Sequence, residues 1–187
     1  MRRMDERDFQ HLVKKDLYQV FLFTSPGTLP FAFARHPWFV VNSKGSVSRW
    51  EIFYEASKKG KISWGHLHKN CYEPWQGIEM FFFSDTCLYG STLRGTLEGG
   101  EGSLAHRVAD LIESSPEAYP YNYRYSLYPG PNSNTYAQWV LGHFPQSTLR
   151  LPWNSFGKRP STGFSLPSTA KLSDFTMPEH KHPDAHP

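Results

Sequence analysis

Residues 128–141 read YPGPNSNTYAQWVL, and the way this stretch is parsed decides the rest. Pro129, Gly130 and Pro131 make a turn that no regular element continues through, because proline lacks a backbone donor and glycine is conformationally permissive. Asn132, Ser133, Asn134 and Thr135 follow, four small polar residues each able to bond the free N–H groups that open a helix. Tyr136, Trp139, Val140, His143 and Phe144 then recur at i, i+3, i+4, i+7 and i+8. That spacing predicts a helix over 135–144 with one inward face. Two readings of the stretch stand side by side. In one it is an ordinary turn and N-cap. In the other, Ser133 is a small nucleophile at the positive end of a buried helix, among backbone donors of the kind that stabilise acyl transfer.

Upstream, Ser103 reads as the N-cap of a second helix over 103–114, where Leu104, Val108, Leu111 and Ile112 share a face and Pro116 ends the run. Residues 120–125, PYNYRY, form an aromatic extended segment that delivers the chain to the turn. Earlier still the pattern is that of strands. Residues 17–23, LYQVFLF, have the length and aromatic content of a buried strand, broken by Ser25, Pro26 and Gly27. Residues 31–41, FAFARHPWFVV, predict a second strand that is kinked or at an edge where Pro37 cannot donate to a ladder. Alternation places His36, Trp38 and Val40 on one face.

A polar turn over 42–45 leads to residues 47–54, VSRWEIFY, where Arg49, Glu51 and Phe53 oppose Trp50, Ile52 and Tyr54. Two such strands joined by a short turn are an antiparallel hairpin, which brings Glu51 toward His36. Residues 58–61 form another turn, 62–67 a further strand, and 77–83, GIEMFFF, another. The expected fold class is α+β, an antiparallel sheet of about four to six strands packed against two or three helices. The expected division is an N-terminal extension over 1–16, one domain over 17–154 and a tail over 155–187 rich in Pro, Ser, Thr, Lys and His, mostly without fixed structure.

Composition narrows the function classes. A chain of 187 residues suits one domain, and its 14 Phe, 10 Tyr and 6 Trp let few residues build a core. A formal charge of +3 argues neither for nor against nucleic acid, but no basic stripe interleaved with aromatics is present, and nucleic acid is not expected as a partner. No apolar run approaches the roughly 20 residues of a transmembrane segment. The charged N-terminus is not a secretory signal, and Cys71 and Cys87, without a C-x-x-C motif, read as reduced thiols. A cytoplasmic protein is the expectation.

The sharpest site hypothesis joins Ser133, His36 and Glu51. A hydroxyl is a weak nucleophile near neutral pH and needs a base in reach and a third group to orient that base. A helix terminus contributes at most about 2 kcal/mol, too little to ionise an alcohol, so Ser133 chemistry stands or falls with His36. The ordinary readings are a satisfied, semi-buried histidine at 36 and, for Glu51, a partner for Arg49 or a lysine. His66 and His68 share a face of the 62–67 strand, with Cys71 and Glu73 nearby, but no third ligand stands out. His180, His182 and His186 lie in the tail without preformed geometry. Neither a metal nor a cofactor is expected. Cys87 reads as an inert buried thiol.

The order of features resembles a bacterial family of unknown function. The features are a histidine followed by Trp38, an acidic residue on the next strand, Asp85 with Tyr89 and Gly90, an amphipathic helix, and then Gly130 to Thr135, Gly-Pro-Asn-Ser-Asn-Thr, the family's hallmark. The resemblance covers roughly residues 17–153. That family in turn resembles the circularly permuted papain-like proteins, the NlpC-type peptidases and lecithin:retinol acyltransferase-like enzymes. In these the histidine precedes the nucleophile, and an Asn-Cys pair opens the nucleophile helix. The resemblance implies a permuted papain-like fold with His36 as base, Glu51 as orienting residue and Ser133, after Asn132, as nucleophile. Serine stands here where those enzymes have cysteine.

The expected function is that of a hydrolase or acyltransferase acting on an amide or ester. The alternative is a catalytically inactive module that binds a peptide, glycan or lipid in the same cleft. Asn132, Asn134, Trp38, Tyr128 and Trp139 would line that cleft.

Overall fold

The computed structural model describes residues 4–57 and 61–159. The fold is α+β. A six-stranded antiparallel sheet, β4-β5-β3-β2-β1-β8 in spatial order, carries a separate two-stranded hairpin, β6-β7. The strands are β1 (Tyr18–Pro26), β2 (Arg35–Ser43), β3 (Ser46–Ile52), β4 (Ile62–Trp64), β5 (Leu67–Lys69), β6 (Gln76–Phe81), β7 (Ser84–Gly90) and β8 (Thr92–Gly99). The helices among the described residues are α1 (Glu6–Leu12), α2 (Leu104–Glu113), α3 (Ser115–Ala118) and α4 (Ser133–His143). None is long and apolar enough to cross a membrane.

β1 and β2 are buried on both faces, which is why they read as continuous apolar runs rather than alternating ones. On one face Val20, Leu22, Phe39, Val41, Trp50 and Ile52 pack under α2 and α4, joined by Tyr136, Trp139 and Val140. On the other, Phe21, Phe23, Trp38 and Val40 gather around Phe9 of α1. Each fully buried ring or branched side chain contributes about 1.5–3 kcal/mol relative to exposure, so the paired central strands anchor the molecule.

The β2–β3 hairpin turns at Lys44 and Gly45, both with positive φ, the geometry a two-residue hairpin loop requires. β3 pairs with β2 only as far as Phe39, opposite Trp50, so Pro37 has a ladder neighbour in β1 alone. The proline therefore sits at a local edge, where its missing N–H costs nothing. His36, one residue further out, lies at the open end of the sheet.

Several elements depart from the sequence expectation. β1 continues through Pro26, paired to Arg35, instead of breaking at Ser25, because β8 pairs with β1 no further than Thr24 and a proline at this one-sided end costs the sheet little. The expected strand over 62–67 is two short strands separated at Gly65, whose φ is +60°. That break puts His66 in a turn, its Nδ1 2.9 Å from the Phe53 carbonyl oxygen, and leaves His68 buried in β5, its Nε2 2.8 Å from the Glu55 carbonyl oxygen. The pair does not share a strand. Among the described residues no group of three or more His, Cys, Asp or Glu side chains is placed to hold a metal ion. β7 and β8 were not expected, their sequences being interrupted by glycine and polar residues. Cys87, on β7, is exposed rather than buried, because the hairpin's outer side has no layer over it, while Cys71 is buried. His180, His182 and His186 lie outside the described residues.

Candidate functional site

α4 starts at Ser133, two residues before the expected position, because the cap is Asn132 and not the residues after it. Asn132 Oδ1 accepts from the N–H groups of Asn134 at 2.9 Å and Thr135 at 3.2 Å, and Thr135 Oγ1 accepts from the Asn132 N–H at 3.0 Å. This reciprocal capping box satisfies donors that would otherwise point into the site. The Tyr136 N–H continues the helix onto the Asn132 carbonyl. Of the opening N–H groups, that of Ser133 is left without an acceptor among the described residues. Gly130 precedes the cap at φ +114°, and a Cβ there would meet Thr135 Oγ1 at 2.7 Å, so the turn needs glycine.

The cap is fixed from outside as well. Asn132 Nδ2 donates to the carbonyls of Leu127 and Phe156, Asn134 Nδ2 donates to those of Arg35 and Phe156, and Thr135 Oγ1 donates to that of Gly157. Arg35 is the residue before His36. The start of α4 and the start of β2 are thereby pinned together, with residues 156 and 157 as the third side.

A cavity of about 820 Å³ opens at this junction, within the size range of small-molecule sites. Ser133, His36, Asn132, Asn134 and Tyr128 all line it. Ser133 and His36 are each about nine-tenths buried, and the Ser133 side chain makes no hydrogen bond to another described residue. His36 has the strand parity of Trp38 and Val40, whereas α4 packs on the opposite face, against Phe39. The two residues border one cavity because β3 has stopped pairing before His36, leaving the end of the sheet open to both layers.

Behind His36 lies a buried ionic cluster. His36 Nε2 is 3.2 Å from Glu51 Oε2, its ring stacks on Phe53 at 5.2 Å, and Nδ1 has no hydrogen-bond partner among the described residues. Glu51 is fully buried, and so is Arg49, whose Nη2 donates to Glu51 Oε2 at 2.7 Å while Nε lies 2.7 Å from Oε1. Arg49 also donates to the carbonyls of Glu73 and Gln76 and lies over the ring of Trp38 at 4.2 Å. Burial pushes the Glu51 carboxyl up, but Arg49 and His36 outweigh it and hold the group below its ordinary value. Glu51 thus has both roles considered for it from sequence, partner of Arg49 and neighbour of His36.

Trp38 and Trp139 are not brought to the cavity. Trp38 is buried under α1 with its indole N–H on the Pro74 carbonyl, and Trp139 packs in the α4 layer against Tyr119 and Tyr136. The walls come instead from Phe31, Phe33, Phe53, Tyr125 and Phe156, with Arg35 beside His36. Burial raises the Tyr125 phenol to about 12, so it stays neutral and serves as a wall rather than a base. Sequence reasoning missed these residues. The alternating Phe31 and Phe33 and the Arg35-His36 pair were the available signal, but they lie in a stretch whose first four residues form a turn rather than a strand.

No curated protein and no solved structure matches the chain. Residues 18–159, from the first strand to the segment that closes the α4 cap, match the family model described as protein of unknown function (DUF3750), and the chain belongs to that family.

Proposed function

We propose that this chain is a hydrolase or acyltransferase acting on an amide or ester, with Ser133 as nucleophile, His36 as base and Glu51 as the group that orients His36. The observation that carries the reading is the division of labour on the His36 ring. One nitrogen is held by a buried carboxylate, and the other is unengaged in a residue that borders the same cavity as an unengaged serine hydroxyl. With Nε2–H donating to Glu51, Nδ1 keeps its lone pair and serves as the base. The Ser133 hydroxyl proton passes to Nδ1 as Oγ bonds the substrate carbonyl carbon, and the negative charge that develops on the carbonyl oxygen is met by the Ser133 N–H. Collapse breaks the bond to the amine or alcohol, which takes the proton back from His36. The acyl group, now an ester of Ser133, passes to water or to a second acceptor. The resemblance to circularly permuted papain-like proteins supports the same assignment, and two free thiols fit a cytoplasmic setting.

A specific observation favours a second reading, binding without turnover. The Asn132 side chain occupies two of the N–H groups that would otherwise form an oxyanion site, and Glu51 shares its charge with Arg49. A fluorophosphonate probe separates the two. Acyl chemistry requires labelling of Ser133 that His36→Ala abolishes while the fold is kept. Absence of labelling in the unsubstituted protein, together with ligand-dependent stabilisation, assigns the cavity to binding.

A further inference from the structure

The cavity has a sign. Among the described residues its lining includes Arg35 and His36 and no aspartate or glutamate; the others are apolar, aromatic, hydroxyl-bearing, amide or glycine. Arg35 is half-buried, and its guanidinium has no ion pair, hydrogen bond or ring contact to another described residue. Arg49 shows what this protein does with a guanidinium it keeps for structure. That group is fully buried and engaged by a carboxylate, two carbonyls and the rings of Trp38 and Tyr72.

A half-buried guanidinium without a counter-ion beside apolar walls leaves a positive charge unneutralised at the cavity, and a planar anion neutralises it through paired, charge-assisted hydrogen bonds. The unengaged Ser133 N–H and the positive end of α4 face the same cavity and add potential of the same sign. The neighbouring cavity is built differently, with Glu55, Glu79 and Lys61 in its lining. From these observations we propose that the cavity binds an anionic amphiphile. Its acidic head, carboxylate or phosphate, pairs with Arg35 near the start of α4, and its apolar body lies along Phe31, Phe33, Phe53 and Phe156.

The proposal rests on the cavity being a ligand site, as the function proposed above does, but it needs no turnover. It is measured on the Ser133→Ala protein, so loss of acyl chemistry and loss of anion selectivity are read separately. Isothermal titration with decanoate, decyl phosphate, decanol and decyltrimethylammonium keeps the apolar body constant and varies the head. At least one of the two anions binds about tenfold or more tightly than decanol, the cation binds most weakly, and the two anions show which head is preferred. Arg35→Met, which keeps the apolar stem, lowers anion affinity about tenfold and leaves decanol within about twofold, whereas Arg35→Lys retains the order of heads. Equal affinity for all four heads, preference for the cation, or no binding of any overturns the proposal. So does an anion preference that survives Arg35→Met. Should Arg35→Met not fold, the head-group series with Arg35 in place decides the question.

Discussion

The side-chain amide of Asn134 donates to the carbonyl of Arg35 at 2.9 Å, closing a contact across 99 positions of sequence. It joins the first turn of α4 to the first residue of β2, and it is flanked by the two residues on which the site depends, Ser133 and His36. Asn134→Ala removes this bond and the one to Phe156, whose carbonyl keeps the Asn132 amide while that of Arg35 loses its side-chain donor. The expected cost is about 2 kcal/mol, read as a lower urea midpoint at an unchanged slope. Probe reactivity or ligand affinity falls further than stability does, because the cavity loses its registration before the core loses its packing.

The cap and the candidate nucleophile are adjacent but separable. Asn132→Ala loses the acceptor for two helix N–H groups and costs about 1–2 kcal/mol. Ser133→Ala removes a hydroxyl with no hydrogen-bond partner among the described residues and changes stability by no more than about 0.5 kcal/mol. Chemical denaturation of the two variants in parallel checks the assignment, and a larger loss from Ser133→Ala than from Asn132→Ala would show that the cap has been misassigned.

Glu51 makes stability depend on acid. Its carboxyl titrates below its ordinary value of 4.5 in the folded chain, so its contribution is complete above that value and is lost as pH falls through the lower, folded one. Urea midpoints followed from about pH 5 down to about pH 2 therefore decline, and Glu51→Gln removes that part of the decline. The same substitution strands Arg49 in the core at a cost of about 3 kcal/mol. Arg49→Met combined with Glu51→Leu is less destabilised than either single change, since neither charge is then left alone. Additive losses in that cycle would mean that the two side chains do not act as a pair.

Gly130→Ala tests the turn. A methyl group at φ +114° is strained, and it meets the hydroxyl of Thr135 that completes the cap. The expected loss exceeds about 1 kcal/mol, more than an ordinary surface Gly→Ala change, and thermal unfolding measures it.

What the sequence made legible follows from which signals are local. The apolar runs of β1 and β2, the hairpin over Lys44 and Gly45, and the helix opened by Ser103 each announce themselves within a dozen residues, because periodicity and turn chemistry are short-range. Glu51 beside His36 was readable for the same reason, as a consequence of one hairpin. The strands β7 and β8 were not, because SDTCLYG and TLRGTLEG gain strand character from the neighbours they pair with rather than from their own propensity. The aromatic walls were hidden for a different reason. Phe33 and Phe156 come from loops, and their ring centroids lie 6.0 Å apart only after the fold has brought residues 154 to 157 back to β2. Trp139, by contrast, was expected at the cavity as one of the aromatics offering a contact surface, but helix geometry turns it away, against Tyr119 and Tyr136.

The carbonyls of Phe156 and Gly157 hold three side chains of the α4 cap, so the last few residues of the family domain finish what its middle begins. During synthesis on the ribosome, the central strands can pair and bury their rings long before these residues emerge. Whatever the cavity binds or transforms, a nascent chain acquires the ability last, and a product truncated just short of Phe156 would keep most of its core while its binding chamber stayed unsealed.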